Sequence, residues 1–196
     1  MPEELIETFI FVPKEQAVLP GDIANANVHN RLGFAVMLKF FQLEGRFPNH
    51  LGEIPHQVIE FIAQQLGFEE TDLSNYRLSG SVHKRHRVQI REFLGFRRMD
   101  KEDKEAVKQW LVDEVLPHAP HFEELKDQLN SHLRRLQFER PSAKELTRLI
   151  YSANRTHEKL FCHSIANRIP AKASLRGRLR SQSWSKKAFR AYAVDT

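Results

Sequence analysis

The sequence has 196 residues, of which 41% are hydrophobic, and it contains 30 Lys and Arg against 25 Asp and Glu, with a single cysteine. A chain of this length and composition buries enough apolar surface to fold without a disulfide framework, so we exclude a cystine-stapled scaffold. The longest apolar run, residues 34–38, is far shorter than the roughly 20 residues of a membrane-spanning helix. The N-terminus is acidic, unlike a secretory signal. We therefore expect a cytoplasmic protein with no membrane partner.

Apolar residues recur at helical spacing along most of the chain, and no stretch alternates as a strand would. This pattern predicts an all-α, multi-helical fold. The strongly apolar residues 29–43 predict a buried central helix that Gly45 ends. Residues 55–66 predict a second helix, with Pro55 in its first turn and Gly67 as its stop.

The middle of the chain predicts a basic helix followed by a capped one. Residues 82–94 place Ile90 and Phe93 toward a core, and Gly95 is the expected end of this helix. Asp100 is a suitable N-cap for the next helix.

Two amphipathic helices are expected in the last third of the chain. Pro117 breaks the chain before the first of them, whose apolar stripe runs from Phe122 to Leu136, and Pro141 opens the second. The segment after Arg180 is polar and basic, which predicts a loosely ordered tail. The predicted organisation is two small helical subdomains and this tail, at residues 1–98, 99–180 and 181–196.

Positive charge is concentrated in two parts of the chain. Residues 159–196 contain nine Lys and Arg and one acid, a local net charge of +8 within the total of +5, so residues 1–158 carry −3. A second concentration lies at residues 84–98, with six cations against Glu92. Localised positive charge of this kind attracts a polyanion, which favours a nucleic-acid partner.

The spacing of the basic residues at 84–98 fits a helix that contacts DNA with one face. At 100° per residue, Lys84, Arg87 and Arg91 fall within about 60° of one another, beside an apolar face. A preceding helix and connector give a helix-turn-helix-like layout, in which the second helix enters the major groove. Spacing alone does not separate this interpretation from a solvated basic face on an ordinary bundle helix. The candidate DNA-binding residues of this segment are Lys84, Arg85, Arg87, Arg91, Arg97 and Arg98.

The second basic concentration supplies three further candidate DNA-binding residues, Arg176, Arg178 and Arg180. Without interleaved acids, they could lie along phosphates and add affinity without reading bases. The alternative is a solvated tail that binds nothing.

No catalytic site, metal site or cofactor is predicted. His118 and His121 have a spacing that a helix could align, but prolines interrupt it. His157, Cys162 and His163 offer metal-binding atoms without a paired ligand motif, and the lone cysteine is expected to be a small buried apolar side chain. The sequence also has no glycine-rich phosphate loop and no Gly-x-Ser-x-Gly elbow. We expect a protein that is not an enzyme.

Three blocks of sequence are distinctive: HNRLGFAVMLKFFQLEGRFP at residues 29–48, EIPHQVIEFIAQQLGF at 53–68 and HKRHRVQIREFLGFR at 83–97. They resemble the N-terminal region of the large replicative transposases of the Tn-three family, and the likeness runs over about residues 4–179. In that family this region is helical and binds the terminal inverted repeats of the mobile element. A separate metal-dependent, ribonuclease-H-like domain further along the chain cuts and joins the strands during recombination.

The resemblance implies a truncated transposase fragment that binds double-stranded DNA at transposon ends and lacks the catalytic domain. It implies a bacterial cytoplasmic protein that is nucleoid-associated when bound to DNA. An alternative is a helical fragment that pairs with a full-length transposase, or with itself, and regulates transposition. By resemblance, the following residues lie on the family's basic helix and its cap: His86, Arg87, Ile90, Arg91, Gly95 and Arg97.

Overall fold

The structure is a computed structural model, and it describes residues 9–19, 28–118 and 121–168. The all-α prediction is confirmed, because these ranges form helices and no strand, with one isolated bridge between Arg97 and Phe138. The helices are α1 (Pro13–Val18), α2 (Val28–Glu44), α3 (His56–Leu66), α4 (Gly80–Leu94), α5 (Lys101–Trp110), α6 (Phe122–Arg135) and α7 (Ala143–Arg168).

Short turns join several of these helices. Leu51–Glu53 and Glu70–Asn75 are 3-10 turns, the second of them between α3 and α4. After α5 the chain continues through a π turn, Leu111–Val115, and a 3-10 turn, Leu116–His118. None of the helices within the described ranges combines the length and apolarity needed to cross a lipid bilayer.

Helix α2 is the buried central helix that the sequence predicts. Every residue from 32 to 41 is buried, including Lys39, whose side chain is 2% exposed. The ammonium of Lys39 forms an ion pair with Glu15 at 2.8 Å and donates to the carbonyl of Ile10 at 2.7 Å. A buried charge is tolerated only when it is paired and hydrogen-bonded in this way, so the segment around α1 completes the burial of α2.

The predicted helix ends are confirmed at several positions. Gly67 and Gly95 follow α3 and α4 with φ of 72° and 73°, the left-handed conformation that glycine adopts without strain. Asp100 caps α5 by accepting from the amide of Asp103 at 2.8 Å. Pro55 is the N-cap residue of α3 and not part of its first turn.

Two hydrophobic clusters form the interior of residues 9–153. The first includes α2 and the inner faces of α3 and α4, and the second joins the region from α5 to the first part of α7. The described residues up to 155 form one compact unit, and residues 156–168 belong to another. The predicted boundaries at residues 98 and 180 stay predictions.

Two expectations about individual side chains are wrong. The stripe of α6 does not extend to Leu136, which is 44% exposed because the chain leaves the helix there, and Phe138 is buried instead. Cys162 is exposed, on a stretch of α7 where the neighbouring Leu160 and Phe161 are exposed as well.

Candidate nucleic-acid interface

The inner face of α4 is neutral, although the helix is rich in basic residues. His83, His86 and Ile90 are its buried residues. The hydroxyl of Tyr76 lies 2.9 Å from both His86 Nδ1 and Met37 Sδ, and the Tyr76 and His86 rings are stacked. Burial, together with the charge of Arg85, lowers the pKa of His86 to about 4. These contacts fix α4 against α2 by a face that carries no charge at neutral pH.

Gly33, the glycine of α2, allows Tyr76 to pack closely against this helix. Gly33 stands against Tyr76, and a Cβ atom added to it would lie 2.3 Å from the tyrosine ring. The Tyr76 ring that supports His86 therefore occupies the space that any other residue at position 33 would need.

The outward face of α4 carries exposed polar and basic side chains. At 100° per residue they span an arc of roughly 140°. Lys84 and Arg85 take part in no ion pair or hydrogen bond with other residues of the described ranges. Val88 is 43% exposed between them and the last turn of the helix. The exposed side chains of this outward face are Ser81, Lys84, Arg85, Val88, Gln89 and Glu92.

Arg87 and Arg91 lie to one side of that face and already have an acidic partner. The carboxylate of Glu139 accepts from Arg87 at 2.7 Å and from Arg91 at 2.9 Å. Both guanidinium groups also stand over the ring of Phe47, at 4.6 and 5.9 Å from its centroid. Arg98 reaches the same carboxylate at 3.2 Å. Three arginines therefore share one acid, and this group holds α4 to the segment after α6.

Arg97 is paired with a different acid. Its guanidinium donates to both carboxylate oxygens of Asp103 and stands 4.6 Å from the centroid of the Phe138 ring. The hydrogen bond from Arg97 lowers the pKa of Asp103 to about 2. DNA contact by the nine predicted residues stays a prediction, and Arg176, Arg178 and Arg180 lie outside the described residues.

Sequence reasoning did not predict Glu139 or Phe47 as neighbours of the basic helix. Glu139 is 48 and 52 residues from its partners on α4, so no periodicity connects them. The available signal was indirect, because a partly buried basic helix needs acids from elsewhere in the fold to balance its charge.

A metal site has little support in the parts of the chain that the structure describes. One group of suitable donors occurs there, His56, Glu60 and Glu70, with ligand atoms within 4.8 Å of one another. His56 and Glu70 form an ion pair at 2.8 Å, which accounts for their closeness without a metal. The histidines and the cysteine considered from sequence do not belong to any such group in these ranges.

Most of the chain is similar to a known protein family. The family model described as Domain of unknown function (DUF4158) matches residues 1–153. The match covers all of α4, both hydrophobic clusters and Glu139. No curated protein matches the chain.

Proposed function

The chain belongs to the DUF4158 family, and we propose that it binds double-stranded DNA through the outward face of α4, as the part of a Tn-three-type transposase that recognises terminal inverted repeats. The observation that carries this proposal is the pair of exposed cations Lys84 and Arg85, which have no acidic partner within the described residues. The three sequence blocks that resemble the transposases support it, since one of them, residues 83–97, covers most of α4.

The residue types on this face suit base readout. An α-helix fits the major groove, where lysine and arginine bond guanine, glutamine bonds adenine, and an apolar side chain contacts the thymine methyl group. Lys84, Arg85, Val88 and Gln89 supply each of these groups within two turns of one helix. The neutral inner face and the arginines held by Glu139 keep the helix fixed while this face stays open to a ligand.

A mobility-shift assay tests the proposal. The protein is expected to bind a duplex from the end of its own element more tightly than a scrambled duplex. Replacing Lys84 and Arg85 together with alanine should weaken specific binding by about 2–4 kcal/mol, because each base contact contributes about 1–3 kcal/mol.

The control removes the same charge elsewhere. Lys101→Ala with Arg135→Ala takes two exposed cations from α5 and α6, and we expect only a small, sequence-independent loss. Equal losses in the two double variants would show that net charge, not the face of α4, governs binding.

The proposal includes no strand cleavage by this chain. Supercoiled plasmid that carries the element's ends is expected to stay intact with the protein and Mg²⁺. Cleavage that depends on the metal would contradict this part of the proposal.

A second candidate function is helix pairing with a full-length transposase or with another copy of the chain. It is favoured by Leu160, Phe161 and Ile165, which are exposed on α7. The leucine stripe of α6 is not available for this role because Leu125, Leu129 and Leu133 are buried in the second cluster. Co-purification that survives nuclease treatment and is lost when the three exposed residues become serine would support pairing. Co-purification lost on nuclease treatment would show that DNA alone bridges the proteins.

A further inference from the structure

A cleft of about 870 Å³ lies beside the arginines that Glu139 holds. Its lining has an excess of positive charge, since five of the residues are Lys or Arg and three are Glu. His50, Asn49 and Ser142 add neutral polar groups. The charged residues of the lining are Arg46, Arg87, Arg98, Lys104, Arg140, Glu53, Glu139 and Glu145.

Glu139 cannot balance the arginines that surround it. Its side chain is 10% exposed, and it is shared among Arg87, Arg91 and Arg98. One negative charge among three arginines leaves an excess of positive charge beside the cleft, where Arg87 and Arg91 are partly buried and Arg98 is exposed. An anion that entered the cleft would be attracted strongly there, because electrostatic forces are less screened than at an open surface.

Arg87 also has a hydrogen-bond donor that is not used within the described residues. Its Nε atom is buried and has no hydrogen-bond partner among the described residues, while another nitrogen of the same group donates to Glu139. The centre of the guanidinium stands 4.6 Å from the centroid of the Phe47 ring. A planar guanidinium held in this way is suited to a phosphate oxygen.

Three other cations of the cleft can turn toward a ligand at modest energetic cost. Arg98 is 64% exposed and bonds Glu139 through Nε alone. Arg140 meets its partner, Glu44, only at 3.5 Å. Lys104 is exposed and lines the same cleft. Each of these side chains can turn toward an incoming anion without disturbing the hydrophobic core.

We propose that this cleft binds a phosphate group of the DNA backbone, with Arg87 and Arg98 as its direct ligands and Glu139 as the positioning residue. The inference rests on the proposed function, because DNA held on α4 supplies the phosphate. Phosphate contacts fix the register of a protein on a duplex, whereas base contacts give specificity. The cleft and the outward face of α4 therefore divide these two tasks.

The first experiment measures affinity against salt for the full chain and two variants. Arg98→Gln removes a ligand, and Arg135→Gln removes an exposed arginine of α6 that is not part of the cleft lining. For Arg98→Gln, the slope of log K against log salt should become shallower by about 0.9, the value of one phosphate contact. The loss should be the same for end and scrambled duplexes. Arg135→Gln should keep the slope of the unaltered protein.

The outcomes separate the two proposals. If the salt slopes of Arg98→Gln and Arg135→Gln are equal while the chain still prefers the end sequence, the phosphate site in the cleft is overturned. The proposed function is then unaffected. A chain that shows no preference for end DNA, but whose slope changes only with Arg98→Gln, would support the cleft and overturn sequence recognition.

The second experiment observes the ligand directly. The Nε–H resonance of Arg87 is followed by NMR in the full chain while inorganic pyrophosphate or a short scrambled duplex is added. A shift with either probe that disappears in Arg98→Gln supports the site, and a shift with the duplex alone identifies the DNA backbone as the source. An unmoved resonance with both probes would overturn it.

Discussion

Basic residues lie both on the outward face of α4 and on the side of α4 that contacts Glu139, but among the described residues only those on the second side are paired with an acid. Lys84 and Arg85 are exposed without an acidic partner in the described parts of the chain, whereas Arg87 and Arg91 are tied to Glu139 over the Phe47 ring. All four residues lie within fewer than ten positions of one helix. A count of basic residues on a helix therefore does not measure its capacity to bind DNA, because the fold decides which charges remain unpaired.

The largest expected effect comes from removing the shared acid. Glu139→Ala should lower the free energy of unfolding by about 3 kcal/mol, since it leaves Arg87 and Arg91 partly buried without their shared counter-charge. Urea denaturation measures this change. The matched control is Glu123→Ala, which breaks an exposed pair with Lys126 and should cost less than about 1 kcal/mol. Equal costs would mean that Glu139 does not stabilise Arg87 and Arg91 as described.

An intermediate effect is expected in the pH dependence of the free energy of unfolding, because of the histidines on the inner face of α4. The pKa of His86 is lowered to about 4, and burial lowers the pKa of His83 as well. The unfolded chain therefore takes up protons near pH 6.5 that the folded chain does not, so stability falls as the pH decreases from about 6.5 toward 4. For His86 alone the loss is about 2 kcal/mol by pH 5.

The measurement is urea denaturation at several pH values, with His86→Gln as the variant. The variant removes one titrating group, so its stability should change less between pH 6.5 and 5 than that of the unaltered chain. A profile with the same steepness would contradict a neutral, buried His86.

The smallest effect is predicted for the outward face. Lys84→Ala with Arg85→Ala should change the free energy of unfolding by less than about 0.5 kcal/mol, because neither side chain has a partner in the described ranges to lose. Circular dichroism during thermal unfolding is sufficient to check this. A large destabilisation would place these residues with Arg87 and Arg91, and the contrast within α4 would disappear.

Local signals were enough to predict much of the fold. The apolar content of α2 predicted a buried helix, and Gly67, Gly95 and Asp100 marked helix ends through conformations that depend only on neighbouring residues. The wrong predictions lie where the environment of a side chain depends on distant parts of the chain or on the point at which a helix ends. Leu136 fits the stripe of α6 by spacing, yet the helix has already ended there.

The candidate site was less accessible to sequence reasoning. The spacing of Lys84, Arg87 and Arg91 suggested one basic stripe, but their environments depend on Glu139 and Phe47, which come from other parts of the chain. The charge pattern predicted a nucleic-acid partner for the segment. It did not show that some of the arginines are already paired with an acidic residue inside the protein.

Buried Lys39 gives the molecule an internal chemical reporter. An amine that is held by Glu15 and the Ile10 carbonyl, and is almost completely covered, is protected from acylating reagents while those contacts persist. Exposed lysines such as Lys84 and Lys101 have no such protection. The rate at which Lys39 becomes labelled in native buffer therefore measures how often the segment around α1 detaches from α2.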